Sequence, residues 1–120
     1  MIKGIGIDIV EIGRIKTLLE KGDRFARKIL SGEELILFHN FKHQARRVEF
    51  LAGRFAAKEA FSKAIGTGIG KIGFKDIEVL KSDTGAPFVR CKKIKEEKIF
   101  ISISHAEHYA IAQVILEAKN

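Results

Sequence analysis

Two acidic residues lie in segments that are otherwise apolar. Asp8 interrupts the apolar N-terminal segment 5–10, and Glu59 falls within the apolar stripe of a long predicted helix. That stripe consists of Val48, Leu51, Ala52, Phe55 and Ala56. A carboxylate in apolar surroundings is costly unless a partner neutralises it, and Lys63 lies one helical turn after Glu59. The pattern therefore leaves two interpretations open, which are a hard cation such as Mg²⁺ shared by both carboxylates, or two separate salt bridges.

A glycine-rich segment, Gly66-Thr67-Gly68-Ile69-Gly70, follows this helix. It is not a P-loop, because Ile65 stands where the first glycine is required and a helix rather than a strand precedes it. The segment predicts either a helix stop with a mobile loop or a nest of backbone amides that faces a phosphate. His105 ends an alternating strand, where it can either meet a ligand at the sheet edge or simply occupy a turn.

The composition is basic, with a formal net charge of +7 in 120 residues. Much of this charge lies between positions 12 and 30, in Arg14, Lys16, Lys21, Arg24, Arg27 and Lys28. Such a stretch forms either a solvated helix face or a surface for an acidic protein or nucleic acid. The absence of tryptophan and of aromatic–basic interleaving disfavours nucleic acid.

A second basic zone lies beside Glu59 and predicts a phosphate-rich ligand. Its members are Lys42, Arg46, Arg47, Arg54 and Lys58.

The elements that must position these residues predict an α+β fold, with a single domain over residues 1–120. We expect helices packed on a mostly antiparallel sheet, with the long central helix over 44–65. Shorter helices are predicted over 11–20, 23–30 and 31–38, with Asp23 as a cap and Ser31 and Glu34 at capping-box spacing. Strands are predicted over 2–10, 76–81, 88–92, 99–104 and 109–117. In the first strand the period of two predicts that Ile5, Ile7 and Ile9 form the buried face.

The lone Cys91 excludes an intramolecular disulfide. The apolar start is too short for a signal peptide, and no segment approaches the ~20 apolar residues of a membrane span. We therefore expect a cytoplasmic protein without a membrane partner.

Three segments resemble motifs of the 4′-phosphopantetheinyl transferase family, in its short, trimeric holo-(acyl-carrier-protein) synthase type. The opening motif is 4–11 (GIGIDIVE), the central one is 54–64 (RFAAKEAFSKA) followed by 66–68, and the third is 101–105 (ISISH). They occur in the family's order along the whole chain, and the central motif is highly specific.

This resemblance implies Mg²⁺-dependent transfer of 4′-phosphopantetheine from coenzyme A to a serine of apo acyl carrier protein, in fatty acid biosynthesis. By motif position, Asp8 and Glu59 are the metal ligands and form the catalytic centre with Lys63. The general base is left open between Glu59 and a metal-bound water.

Other roles follow from the same resemblance. The residues implied to hold coenzyme A are Arg54, Lys63, Gly66, Thr67, Gly68 and His105. The residues implied to face the acidic carrier protein are Arg14, Lys21, Arg24 and Lys28. A homotrimer is expected, with each active site between subunits. The rival hypothesis, a nucleic-acid-binding module without catalysis, does not account for Glu59.

Overall fold

The computed structural model describes residues 1–66 and 71–119. In chain order, its elements are β1 (Ile2–Glu11), α1 (Ile12–Glu20), α2 (Arg24–Ile29), α3 (Gly32–Asn40), α4 (Gln44–Ile65), a 3₁₀ turn (Phe74–Asp76), β2 (Glu78–Lys81), β3 (Pro87–Arg90), β4 (Glu97–His105) and β5 (Tyr109–Ala118). The predicted α+β architecture with a long central helix is confirmed.

The main sheet has the order β1-β5-β4, and both pairings are antiparallel. β1 and β4 are therefore its two edge strands. A separate hairpin pairs β2 with β3 through the predicted turn, where Gly85 takes a φ of +86°. That left-handed conformation favours glycine, because a Cβ would be strained there.

α4 lies across one face of the main sheet, against β1 and β5, and α1 and α3 also pack against α4. Its buried residues go all round the helix and include Phe50, Gly53, Ala57 and Phe61 as well as most of the predicted apolar stripe, of which Phe55 is half-buried. α4 therefore buries more of its surface than the one predicted stripe, because a helix that is covered on several sides buries several faces.

The closest approach between α4 and the sheet depends on glycines of β1. A Cβ built on Gly6 would lie 1.9 Å from the carbonyl oxygen of Ala60, and one on Gly4 would lie 1.9 Å from that of Ala64. Only residues without a side chain allow the helix to sit this near the strand. The same face of β1 carries Asp8, which is thereby directed towards α4.

The predicted burial of Ile5, Ile7 and Ile9 is wrong. Their exposed fractions are 59%, 58% and 59%, because α4 packs on the opposite, glycine-bearing face of β1. Cross-strand pairing extends the exposed surface to β5 and β4. We call this surface the apolar sheet face, and it consists of Ile5, Ile7, Ile9, Phe100, Ile111 and Ile115.

Several element boundaries differ from the prediction. The strand expected from position 76 begins at Glu78, because the carboxylate of Asp76 accepts a hydrogen bond from the Gly73 amide and closes the 3₁₀ turn. The strand expected over 88–92 runs from Pro87 to Arg90. Asp23 precedes α2 but does not cap it, since its carboxylate pairs with Arg27 instead.

The capping box of Ser31 and Glu34 is confirmed. Among the described elements, no helix is long and apolar enough to cross a membrane.

Candidate active site

Asp8, Glu59 and Lys63 come together where β1 faces α4. Nζ of Lys63 lies 3.1 Å from Oδ1 of Asp8 and donates a hydrogen bond of 2.9 Å to the carbonyl oxygen of Ile7. The Lys63 side chain is 54% exposed, whereas that of Asp8 is 17% exposed. The lysine therefore reaches from the open side over a carboxylate that is mostly enclosed.

Glu59 is partly buried beside this pair. Its pKa is raised above the ordinary value, chiefly by burial and further by the negative charge of Asp8, while Lys63 acts in the opposite direction. Lys63 pairs with Asp8, and within residues 1–66 and 71–119 Glu59 has no ion-pair partner. The carboxylates of Asp8 and Glu59 are thus close enough to repel each other, and the positive charge of Lys63 offsets this repulsion only in part.

These two carboxylates fit Mg²⁺ by their chemistry. Mg²⁺ is commonly held by one or two protein carboxylates, with water and substrate phosphate oxygens in its other positions. The described part of the chain contains no group of three or more His, Cys, Asp or Glu that could enclose a metal ion by itself. A metal at Asp8 and Glu59 would therefore remain open to a ligand.

A second, basic cluster lies around Arg54 on α4. Arg54 is 6% exposed, its guanidinium stacks 4.1 Å from the ring centroid of Phe50, and its Nε donates to the carbonyl oxygen of Val79 at 3.2 Å. Nη2 is buried without a hydrogen-bond partner among the described residues. Burial lowers the pKa of Arg54, against an opposing effect of Glu34. A buried donor left unpaired in this way suits an anionic ligand.

His105 lies in the same cluster, and its Nε2 is 3.1 Å from the carbonyl oxygen of Glu49. A Cβ on Gly53 would come within 2.9 Å of that ring nitrogen, so glycine makes room for the imidazole. The cleft beside the two residues has a volume of about 190 Å³. Its lining consists of Arg54, His105, Arg46, Lys81, Phe41, Phe50 and Glu49. We refer to it as the basic cleft.

The structure thus brings the predicted site residues together in two clusters rather than one. Asp8 belongs to β1 and His105 to β4, the two edge strands, with β5 between them. Gly66 ends α4 with a φ of +79°, as expected for a helix stop, while Thr67 and Gly68 lie outside the described residues.

The predicted second basic zone is wrong for Lys58. This side chain is completely buried and pairs with Glu34, which is also completely buried. The sequence predicts Glu34 only as part of a capping box, and nothing in the local pattern signals a partner 24 positions away. Lys81 was also missed, because the β2–β3 hairpin brings it to the basic cleft from a distant part of the sequence.

The predicted partner surface is exposed on and around α1 and α2. Arg14, Lys21, Arg24 and Lys28 are all solvent-exposed, and none forms an ion pair with another described residue. Arg27 differs, because it is bound to Asp23 at 2.7 Å. The four cations are therefore available to an acidic surface.

Comparisons with known proteins agree with this geometry. The model of the 4′-phosphopantetheinyl transferase superfamily matches residues 4–114. The chain therefore belongs to that superfamily, and it is a transferase of the holo-[acyl-carrier-protein] synthase type, which its relatives define over the whole length.

A holo-[acyl-carrier-protein] synthase of Enterococcus faecalis is 56% identical over 119 residues, which are 99% of this chain and 100% of that one. The enzyme of Staphylococcus carnosus is 54% identical over 118 residues, or 98% of each chain. Among solved structures, a holo-(acyl-carrier-protein) synthase of Bacillus anthracis in complex with CoA (3′,5′-ADP) is similar with a TM-score of 0.90, at 48% identity and 99% coverage of each chain. The predicted family, fold and enzyme class are confirmed.

Proposed function

We propose that this chain transfers 4′-phosphopantetheine from coenzyme A to a serine of an apo acyl carrier protein, with Mg²⁺ held by Asp8 and Glu59. The observation that carries the proposal is the convergence of Asp8, Glu59 and Lys63 at the β1–α4 contact. The similar Bacillus anthracis structure is a complex with CoA (3′,5′-ADP), which supports coenzyme A as the donor here.

In this reaction the serine hydroxyl attacks the β-phosphorus of coenzyme A, and adenosine 3′,5′-bisphosphate leaves. Phosphoryl transfer depends mainly on positioning and on the neutralisation of charge. When bound at Asp8 and Glu59, Mg²⁺ would supply positive charge to the pyrophosphate oxygens. Lys63, whose ammonium group lies beside Asp8 on the exposed side, would hold a phosphate oxygen by a charge-assisted hydrogen bond.

The basic cleft would hold the 3′-phosphate of coenzyme A. The unpaired Nη2 of Arg54 supports this assignment, because a phosphate oxygen would satisfy a buried donor. Lys81 would add positive charge, and the imidazole of His105 would add a hydrogen bond from β4. Gly66, Thr67 and Gly68 are proposed as further phosphate contacts from the family motif alone.

We further propose a homotrimer in which each active site combines the metal pair of one subunit with the basic cleft of its neighbour. Two observations support it. The apolar sheet face leaves Ile5, Ile7 and Ile9 more than half exposed in the single chain, which is typical of an interaction surface. Asp8 of the metal pair and His105 of the basic cleft lie on opposite edge strands of the sheet, so a ring of subunits can bring the metal pair of one chain to the cleft of the next.

The assembly is tested by the molar mass in solution, measured by size-exclusion chromatography with light scattering. We expect three chains for the wild type and dissociation for Ile7→Lys. Ile36→Lys is the matched control, because Ile36 is 64% exposed but lies on α3, away from the apolar sheet face. A monomeric wild type would contradict the assembly.

Subunit mixing tests the shared site. We expect Glu59→Gln and His105→Ala to be impaired separately and to regain part of the activity when refolded together. If the mixed subunits regain no activity, the metal pair and the basic cleft must act within one subunit, which would contradict the shared site.

The transfer itself is tested by intact mass spectrometry of an apo carrier protein after incubation with this protein, coenzyme A and Mg²⁺. We expect a mass gain of one phosphopantetheine, and none on a carrier whose acceptor serine is replaced by alanine. No gain on carriers that a related synthase modifies would contradict the proposal.

A cytoplasmic location stays a prediction.

A further inference from the structure

Glu34 and Lys58 form an ion pair whose side chains are both 0% exposed. Nζ of Lys58 donates to Oε1 of Glu34, to the carbonyl oxygen of Ile29 at 2.7 Å and to that of Phe74 at 3.0 Å. All three ammonium protons therefore have an acceptor. The pair connects α4 to the end of α2 and to the 3₁₀ turn.

Glu34 makes further hydrogen bonds through both of its oxygens. Oε1 also accepts from the Ser31 amide at 2.9 Å, and Oε2 accepts from the Val79 amide at 2.8 Å. The carboxylate thus adds the start of α3 and the strand β2 to the segments that meet at Lys58.

Stability alone is a poor explanation for such a pair. Removing two charges from water is costly, and apolar replacements of a whole buried pair are often neutral or stabilising. What the apolar replacement cannot reproduce is the set of directed hydrogen bonds to the backbone. The pair therefore has a positioning effect on the segments that it joins.

Val79 connects this pair to the basic cleft. Its amide donates to Glu34, and its carbonyl oxygen accepts from Nε of Arg54 at 3.2 Å. Two side chains from α3 and α4 thus fix one residue of β2. Lys81, two positions further along β2, lines the cleft together with Arg54.

We propose that Glu34 and Lys58 are positioning residues for the basic cleft. By fixing the backbone of Val79, they set the position of Lys81 on β2 relative to Arg54 on α4. They do not touch the ligand themselves. This inference rests on the proposed function, in that the ligand of the cleft is the 3′-phosphate of coenzyme A.

The test replaces both partners at once, because a single replacement would leave an uncompensated buried charge. In Glu34→Met/Lys58→Met both charges and all their hydrogen bonds are removed. In Glu34→Gln/Lys58→Met one amide oxygen at position 34 can still accept from the Val79 amide, so this variant keeps the proposal testable if the first does not fold. Glu33→Gln is the matched control, because among the described residues the neighbouring Glu33 makes only an exposed pair, with Arg90.

The first readout compares coenzyme A with dephospho-coenzyme A, which lacks the 3′-phosphate. In the folded Met/Met variant we expect the KM for coenzyme A to rise about tenfold, the equivalent of roughly 1.4 kcal/mol. We expect kcat and the KM for dephospho-coenzyme A to change less than about twofold, with an intermediate KM for the Gln/Met variant and wild-type values for Glu33→Gln. The ratio of the two KM values matters here, since a general loss of structure would affect both substrates.

The second readout is the Kd of adenosine 3′,5′-bisphosphate from calorimetry, which requires no turnover. We expect it to weaken about tenfold in the Met/Met variant and to stay unchanged in Glu33→Gln. A folded variant with wild-type KM and Kd would overturn the positioning role, and so would equal losses with both substrates. If the wild type itself does not discriminate between coenzyme A and dephospho-coenzyme A, the assignment of the cleft is wrong and the inference falls with it. If the wild type transfers nothing yet binds the bisphosphate as expected, only the proposed transfer fails.

Discussion

The ammonium group of Lys63 lies 3.1 Å from Oδ1 of Asp8, although 55 positions separate the two residues. The contact exists because glycines in β1 allow α4 to pack directly on the strand that carries Asp8. A cation, a mostly enclosed carboxylate and the partly buried Glu59 are thereby held on two rigid elements. This arrangement can neutralise phosphate charge without rearranging during the reaction.

Replacement of Lys63 by methionine is expected to lower kcat about 10²- to 10³-fold, because one preorganised donor to the transferred phosphate is lost. The thermal midpoint of the metal-free protein should also fall, because Lys63 partly compensates the repulsion between Asp8 and Glu59. Steady-state kinetics and thermal unfolding measure the two effects. Lys95→Met, on an exposed lysine that precedes β4, is the control, and an unimpaired Lys63→Met enzyme would remove Lys63 from the site.

Replacement of Glu59 by glutamine is expected to stabilise the metal-free protein at neutral pH while it abolishes transfer. The pKa of Glu59 is raised in the folded state by burial and by Asp8, so the folded protein binds this proton more tightly than the unfolded chain does. Stability therefore falls as the pH rises from the unfolded pKa of about 4.3 through the folded pKa, and this loss persists above it.

Thermal unfolding in EDTA at pH 4 and pH 8 tests this sign. The gain of Glu59→Gln over the wild type should be present at pH 8 and nearly absent at pH 4. Glu20→Gln, on an exposed glutamate, should show no such difference. If Glu59→Gln is less stable than the wild type at pH 8, the ionised Glu59 is not destabilised by burial and by repulsion from Asp8.

Gly6→Ala is expected to destabilise the protein by about 2–3 kcal/mol, because its Cβ would collide with the carbonyl oxygen of Ala60 at 1.9 Å. Gly13→Ala provides the opposite case. A Cβ at Gly13, in α1, meets nothing within 4 Å, and alanine favours the helix by up to about 1 kcal/mol. Urea unfolding of both variants checks the prediction, which an equally stable Gly6→Ala would refute.

Charge reversal on the exposed basic surface is expected to raise the KM for the carrier protein and to leave the KM for coenzyme A unchanged. Arg14→Glu and Arg24→Glu are suitable variants, since neither arginine forms an ion pair with another described residue. The effect should shrink at high ionic strength, because salt screens exposed charges. Lys95→Glu, on an exposed lysine outside this surface, is the control, and equal effects in all three variants would argue against a defined docking surface.

The sequence predicted most of the fold, because its periods, caps and turns are local signals. The long helix over 44–65 and the capping box at Ser31 are examples of such signals. The face of β1 was predicted wrongly, since the period of two separates two faces but does not say which one a helix covers. Two glycines decided the outcome by allowing the closest approach.

The residues of the candidate site were predicted where a local sequence pattern identified them, and were missed where only tertiary packing brings them together. Asp8 and Glu59 were recognisable because acids interrupted apolar patterns, and the central motif identified the family. The Glu34–Lys58 pair and the place of Lys81 in the basic cleft depend on tertiary packing between distant segments. Local patterns carry no signal for such contacts.

The most direct test of the account is the rate of phosphopantetheine transfer as a function of Mg²⁺ concentration, in the wild type and in Asp8→Ala. Intact mass spectrometry of the carrier protein measures the product, and circular dichroism confirms that the variant is folded. We predict that EDTA abolishes transfer by the wild type, that Mg²⁺ restores it, and that Asp8→Ala stays inactive at every Mg²⁺ concentration. Full activity of Asp8→Ala, or transfer by the wild type that is indifferent to EDTA, would contradict a metal site at Asp8 and Glu59.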